Sequence, residues 1–293
     1  MIREQPAWLD ATTYPFSSNY VDLPDGRMHY VDEGQGETLL MLHGTPTWSF
    51  LYRHLITGLS DRYRVIAPDH LGFGLSDKPE GYSYRPEDHA RNLTALIQKL
   101  DLRDITLVVH DFGGPIGLSY ALDHPENVKR LIIFNTWMWP LQDDAQIVRA
   151  GRLLGSGFGR MLCMRFNIEV NVIMPYAFGQ RAKLTPVIKS QYRGPSQDAT
   201  TREAIWVFAR ELLGSQSWYT SLWEKRAALQ DIPTLLLWGM KDRVIRPHYL
   251  TRWQTALPDA QTITFAETGH YVQEEQGVAL VPIIADFIAS TDS

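Results

Sequence analysis

Short apolar runs alternate with amphipathic ones along most of this chain, and the rhythm breaks once. Between Asn19 and Glu33, alternating positions on either side of Pro24-Asp-Gly-Arg predict a β-hairpin. Apolar runs at Glu37–Leu42, Tyr63–Pro68, Val128–Phe134 and Thr262–Phe265, with those that open at Ile105 and at Thr234, predict strands. Between them, helices are predicted over Phe50–Leu59, Pro86–Leu100, the stretch after Gly113, Pro247–Thr255 and Glu274–Ala289. In the helix from Pro86, Leu93, Leu96, Ile97 and Leu100 recur at helical spacing. Strands that are apolar throughout and alternate with helices imply a mostly parallel sheet covered on both faces. From about Thr136 to Leu229 no such alternation is seen. That segment is rich in aromatics and Met, with helical patterns near Ile147–Leu154 and Thr201–Leu213. It reads as a helical lid inserted into the sheet's connections. The expected division is a core of residues 1–135 and 230–293, with a cap of residues 136–229. Residues 1–15 read as an irregular lead-in.

Composition narrows the class of partner. At 293 residues, 44% hydrophobic and 21% charged, the chain suits one α/β domain with an insertion. The net charge of -5 and the lack of a long basic run argue against nucleic acid or an anionic membrane as partner. The single cysteine, Cys163, can form no intramolecular disulfide and is read as a packing residue. No apolar run is long enough to span a bilayer, and Met1 to Trp8 holds no signal-peptide core, so a cytoplasmic location is expected.

The candidate chemistry sits where apolar runs end. At Val109-His-Asp-Phe-Gly-Gly114 a strand turns sharply into a helix, with Asp111 at the turn and two glycines behind it. This is the layout of a nucleophile elbow with Asp where Ser is usual. Asp242 follows a buried strand, and His270 follows the last one in Thr268-Gly-His. Nucleophile, acid and base in this order match the triad of an α/β-hydrolase, whose site lies at the carboxyl ends of the strands. Each residue alone would read as a loop cap; the three in order read as a site. The loop His43-Gly-Thr-Pro46 offers the backbone N–H of Thr45, and the turn that of Phe112, as an oxyanion hole. A carboxylate is already an anion at neutral pH. Its attack on a saturated carbon bearing a leaving group gives an alkyl ester. His270 then serves as base for the water that cleaves the ester, with Asp242 orienting the imidazole. His110 is expected to face away from the substrate by strand alternation. Asp69 and His70 are read as turn residues, and His54, His89, His124 and His248 as surface or capping groups.

The runs His43 to Arg53, Ala67 to Pro79 and Val109 to Gly114 resemble those of the haloalkane dehalogenase family of α/β-hydrolases. The resemblance implies an α/β-hydrolase fold with a helical lid and a covalent alkyl-enzyme. It also implies no cofactor, no metal, and a small apolar substrate with water as co-substrate. Some subfamilies carry the acid where Asp242 stands; others carry it where this chain reads Asn135-Thr-Trp. The family's Trp after the nucleophile is Phe112 here, and its frequent Asn after His-Gly is Thr45. Trp137 and Trp139, at the start of the lid, are the candidate replacements as halide donors, although each alone reads first as packing. Epoxide hydrolases also resemble the chain and protonate their leaving oxygen with lid tyrosines, for which Tyr176, Tyr192 and Tyr219 are available. β-Lactone decarboxylases of olefin biosynthesis are further relatives, and a receptor that keeps the fold without turnover is the non-enzymatic alternative.

Overall fold

A computed structural model describes residues 5–291. Eight strands form one sheet: β1 (Asn19–Leu23), β2 (Gly26–Glu33), β3 (Thr38–Leu42), β4 (Arg64–Pro68), β5 (Ile105–Val109), β6 (Val128–Phe134), β7 (Thr234–Gly239) and β8 (Gln261–Phe265). Their spatial order is β1-β2-β4-β3-β5-β6-β7-β8. The β1–β2 hairpin and the β2–β4 pair are antiparallel, and every pair from β4 to β8 is parallel. Strands β3 and β5 are buried at every position, as the apolar runs require. At the sheet edge, β8 keeps Gln261, Ile263 and Thr264 exposed.

Helices α1 (Arg53–Leu59), α2 (Pro86–Lys99) and α3 (Gly113–Asp123) follow β3, β4 and β5 in turn. Pro86 opens α2 with a residue whose missing N–H costs nothing there. The inner face of α2 carries His89, Leu93, Leu96 and Ile97. His89 is therefore wholly buried, not the surface or capping group expected. It stands four residues before Leu93, on the helix face that turns inward.

Between β6 and β7 lie α4 (Ala145–Leu154), α5 (Gly157–Phe166), α6 (Met174–Ala177), α7 (Pro186–Arg193), α8 (Glu203–Gly214) and α9 (Gln216–Glu224). A π-helical turn, Glu169–Ile173, leads into α6. Asp144 caps α4 by accepting from the N–H groups of Gln146 and Ile147, and Ser156 caps α5 through Gly159. Helices α10 (His248–Ala256), α11 (Val272–Gln276) and α12 (Leu280–Ser290) complete the chain. Two helices predicted as continuous are interrupted. The first begins as a 3-10 turn at Ser49–Tyr52 before α1. The last breaks at Gly277, whose φ of 54° lies outside the helical region and separates α11 from α12. Among the described residues, no helix is long and apolar enough to cross a membrane.

Candidate active site

The turn after β5 places Asp111 at φ 51°, a left-handed conformation that a non-glycine residue adopts at a cost. Close packing holds it there. A Cβ on Gly113 would collide with the Leu42 carbonyl of β3, and one on Gly114 with the Thr136 hydroxyl. The peptide N–H of Asp111 donates to the Asn135 carbonyl (3.1 Å), and the Thr136 hydroxyl donates to the Asp111 carbonyl. Gly44 faces the carboxylate from the opposite loop, where a side chain would occupy the space of Oδ1.

Three side chains from three strand ends meet here. The Asp111 Oδ1 accepts from the Thr45 backbone N–H (2.8 Å), and Oδ2 lies 3.4 Å from His270 Nε2. On the other side of the ring, His270 Nδ1 is 2.7 Å from Asp242 Oδ2. Asp242 is saturated: Oδ1 accepts from the Val244 and Ile245 N–H groups (2.7 and 2.9 Å), and Oδ2 also takes the Asn135 amide (2.8 Å). Asn135, at the end of β6, is itself held by accepting from the Gly239 N–H (2.9 Å). The Asp242 carboxylate after β7 is thus braced by an amide at the end of β6.

Burial works against charge on all three groups, and mutual pairing overcomes it. Desolvation disfavours the charged form of His270, yet the Asp242 charge and the contact with Asp111 push it up to about 10. Burial would raise the Asp111 carboxyl, but its hydrogen bond and charge interaction with His270, with help from the Phe112 N–H, hold it below the usual carboxylate range. Neighbouring histidines stay neutral: burial drives His110 and His89 down to about 3. His110 does not line the cavity; its Nε2 meets the His270 carbonyl at 2.9 Å and fixes the loop that carries His270. Asp69 is a buried turn anchor, accepting from the Ser49 and Leu75 N–H groups (2.7 and 2.8 Å). His70 bridges to the His43 loop, its Nε2 lying 3.0 Å from the His43 carbonyl.

Asp111 and His270 open into a cavity of about 250 Å³ between the sheet and the insertion. Of the candidate substrate-contacting residues, Thr45, Phe112 and Trp137 line it. Trp137 meets Phe112 edge to face, with centroids 4.9 Å apart. Its indole N–H and the Thr45 hydroxyl are buried without a hydrogen-bond partner among the described residues. Trp139 does not belong to this cavity. It packs instead against Tyr249, Trp253 and Trp223, with ring centroids at 5.0 to 5.5 Å. Of the three lid tyrosines, only Tyr176 lines the cavity. The Tyr192 hydroxyl is bound to Glu274 and that of Tyr219 to the Glu211 carbonyl. Sequence reasoning missed Tyr271 and Glu169, which also line the cavity. Tyr271 could have been suspected from its place after His270. Glu169 is the lone acid between Asp144 and Asp198, flanked by Ile168 and Val170. No group of three His, Cys, Asp or Glu side chains that could hold a metal ion occurs among the described residues. Cys163 is buried, and burial raises its thiol pKa.

With this geometry in place, likeness to known proteins becomes informative. A family model described as alpha/beta hydrolase fold matches residues 37–156 and 199–276. The haloalkane dehalogenase 2 of Mycobacterium bovis is 35% identical over 91% of this chain and 93% of its own length. The chain belongs to the haloalkane dehalogenase family of α/β-hydrolases. A cis-3-alkyl-4-alkyloxetan-2-one decarboxylase of Shewanella oneidensis is also 35% identical, over 96% of this chain and 91% of that protein. Among solved structures, the haloalkane dehalogenase of Bradyrhizobium elkani superposes with a TM-score of 0.84 at 26% identity, covering 94% of this chain and 99% of that one. This dehalogenase-like chain is therefore an enzyme of the α/β-hydrolase kind.

Proposed function

We propose that this enzyme hydrolyses the carbon–halogen bond of small apolar haloalkanes through an ester on Asp111. The observation that carries the reading is the division of labour within one carboxylate. Oδ1 is held by the Thr45 N–H, while Oδ2 faces His270. Oδ2 attacks the halogen-bearing carbon, the carbon–halogen bond breaks, and the electron pair leaves with the halide. The indole N–H of Trp137 and the hydroxyl of Thr45, both unpartnered and on residues that line the cavity, support a halide site there. Alkylation removes the Asp111 charge that helped keep His270 protonated, so the imidazole can lose its proton and act as base. Its Nε2 takes a proton from water, and the hydroxide attacks the ester carbon. The oxyanion then forms on Oδ1, against the N–H groups of Thr45 and Phe112. Collapse releases the alcohol and restores the carboxylate. The lid of residues 136–229 supplies apolar walls that exclude bulk water from the first step.

A second reading has its own support. Phe112 gives the leaving group only a weakly positive ring edge, and the Shewanella oneidensis relative is an oxetanone decarboxylase. An epoxide hydrolase with the same three residues finds less support, since Tyr176 is the only one of the three named tyrosines at the cavity. Product analysis on bromoalkanes, epoxides and a cis-dialkyl oxetanone separates these. Bromide release from the bromoalkanes is expected. Turnover of the oxetanone or the epoxides, with no bromide from any bromoalkane, would overturn the proposal.

A further inference from the structure

We propose that Glu169 forms a second subsite in the cavity wall that binds a neutral oxygen of the substrate. On this view, preferred substrates carry a hydroxyl, ether or carbonyl oxygen away from the reacting carbon. The inference deepens the proposed haloalkane reading and rests on it for the identity of the reacting end.

Glu169 opens the π-helical turn, and the Met174 N–H closes it by donating to the Glu169 carbonyl five residues back. Such widened turns occur often at functional sites. Glu169, Ile173 and Tyr176 share one face of this segment, and all three line the cavity with Asp111. The residue is only 5% exposed. Its Oε2 is buried without a hydrogen-bond partner, and no cation pairs with it among the described residues. A buried carboxyl left in this state is costly and calls for a reason. Packing is not one, because Ile147, Leu154 and Ile205 already give the cavity apolar walls that a leucine would extend. Burial pushes the carboxyl up to about 7, so near neutrality it is often a carboxylic acid, a hydrogen-bond donor. A neutral oxygen is a better match than an ammonium group, which would have to leave water for a cavity whose walls are mostly apolar and already hold the Arg243 side chain.

The test is equilibrium binding to the full chain carrying Asp111→Asn, which cannot form the ester. The probes are bromohexane, bromohexanol with its hydroxyl at the far end, and the corresponding bromohexylamine. Bromohexanol is expected to bind about tenfold more tightly than bromohexane. Adding Glu169→Leu should erase that preference without weakening bromohexane, and adding Glu169→Gln, which keeps a donor, should retain most of it. Equal binding of bromohexane and bromohexanol, tightest binding of the amine, or an equal loss for both in Glu169→Leu would overturn the subsite. Because no turnover is needed, a wild-type enzyme that releases no bromide would sink the proposed reaction and leave this result standing.

Discussion

Phe112 and Trp137 stand edge to face, and only the indole carries a hydrogen-bond donor. In the proposed reaction, that pair sets how the leaving group is held. A buried indole N–H without a protein partner is a donor free to meet an anion. Trp137→Phe keeps an aromatic wall and removes the donor. It is expected to lower kcat for bromide release by about 10²-fold, while thermal unfolding shows a loss of about 1–3 kcal/mol from the smaller ring. Unchanged bromide release would remove Trp137 from the halide site. The two tryptophans also show what residue-level reading resolves. Trp137 and Trp139 are equivalent in composition and almost in position, and only the path of the chain after β6 sends one to the cavity and the other to Tyr249 and Trp253. Asp111, Asp242 and His270 were legible because each ends an apolar run in a set order. The bracing of Asp242 by Asn135 was not, because it joins residues far apart in sequence that only the β6–β7 pairing brings together.

At the scale of elements, the site depends on how closely the turn after β5 approaches β3. Gly113 lies against the Leu42 carbonyl, a backbone atom that cannot rotate away. Gly113→Ala is therefore expected to cost about 3 kcal/mol or more in urea unfolding, and to abolish activity by shifting Asp111. A variant as stable and active as wild type would show that the turn tolerates far more movement. The parallel strands were readable as apolar runs, and the hairpin as alternation about Pro24. Interruptions were harder to see: Ser49–Tyr52 and Gly277 break helices whose apolar spacing continues through them. Periodicity reports which face is buried but says little about local winding. The same limit hid Glu169, whose place in the cavity depends on a π-helical turn.

For the molecule as a whole, the sheet and the inserted helices are joined at the loop that carries His270. Glu275 in α11 accepts from the Gly269 N–H beside His270 (2.8 Å), and from the N–H groups of Gly179 and Gln180 in the insertion (3.2 and 2.6 Å). The His270 N–H donates to the Ala177 carbonyl at the end of α6 (2.9 Å). The loop that holds His270 is thus fixed by the segment that roofs the cavity. The α/β architecture was legible from alternation and from three strand-end residues. The shape of the cavity was not, because aromatic and aliphatic residues in the insertion fill the core and line the pocket with the same chemistry. The central claim is that Asp111 becomes alkylated and His270 is needed only to release the product. It is tested most directly by mass spectrometry of the His270→Ala protein incubated with a bromoalkane. The account predicts a stable mass increase of one alkyl group, located by peptide mapping to Asp111, with one bromide released per chain. An unmodified protein, or an adduct on any other residue, from a bromoalkane that the wild-type enzyme turns over would contradict it.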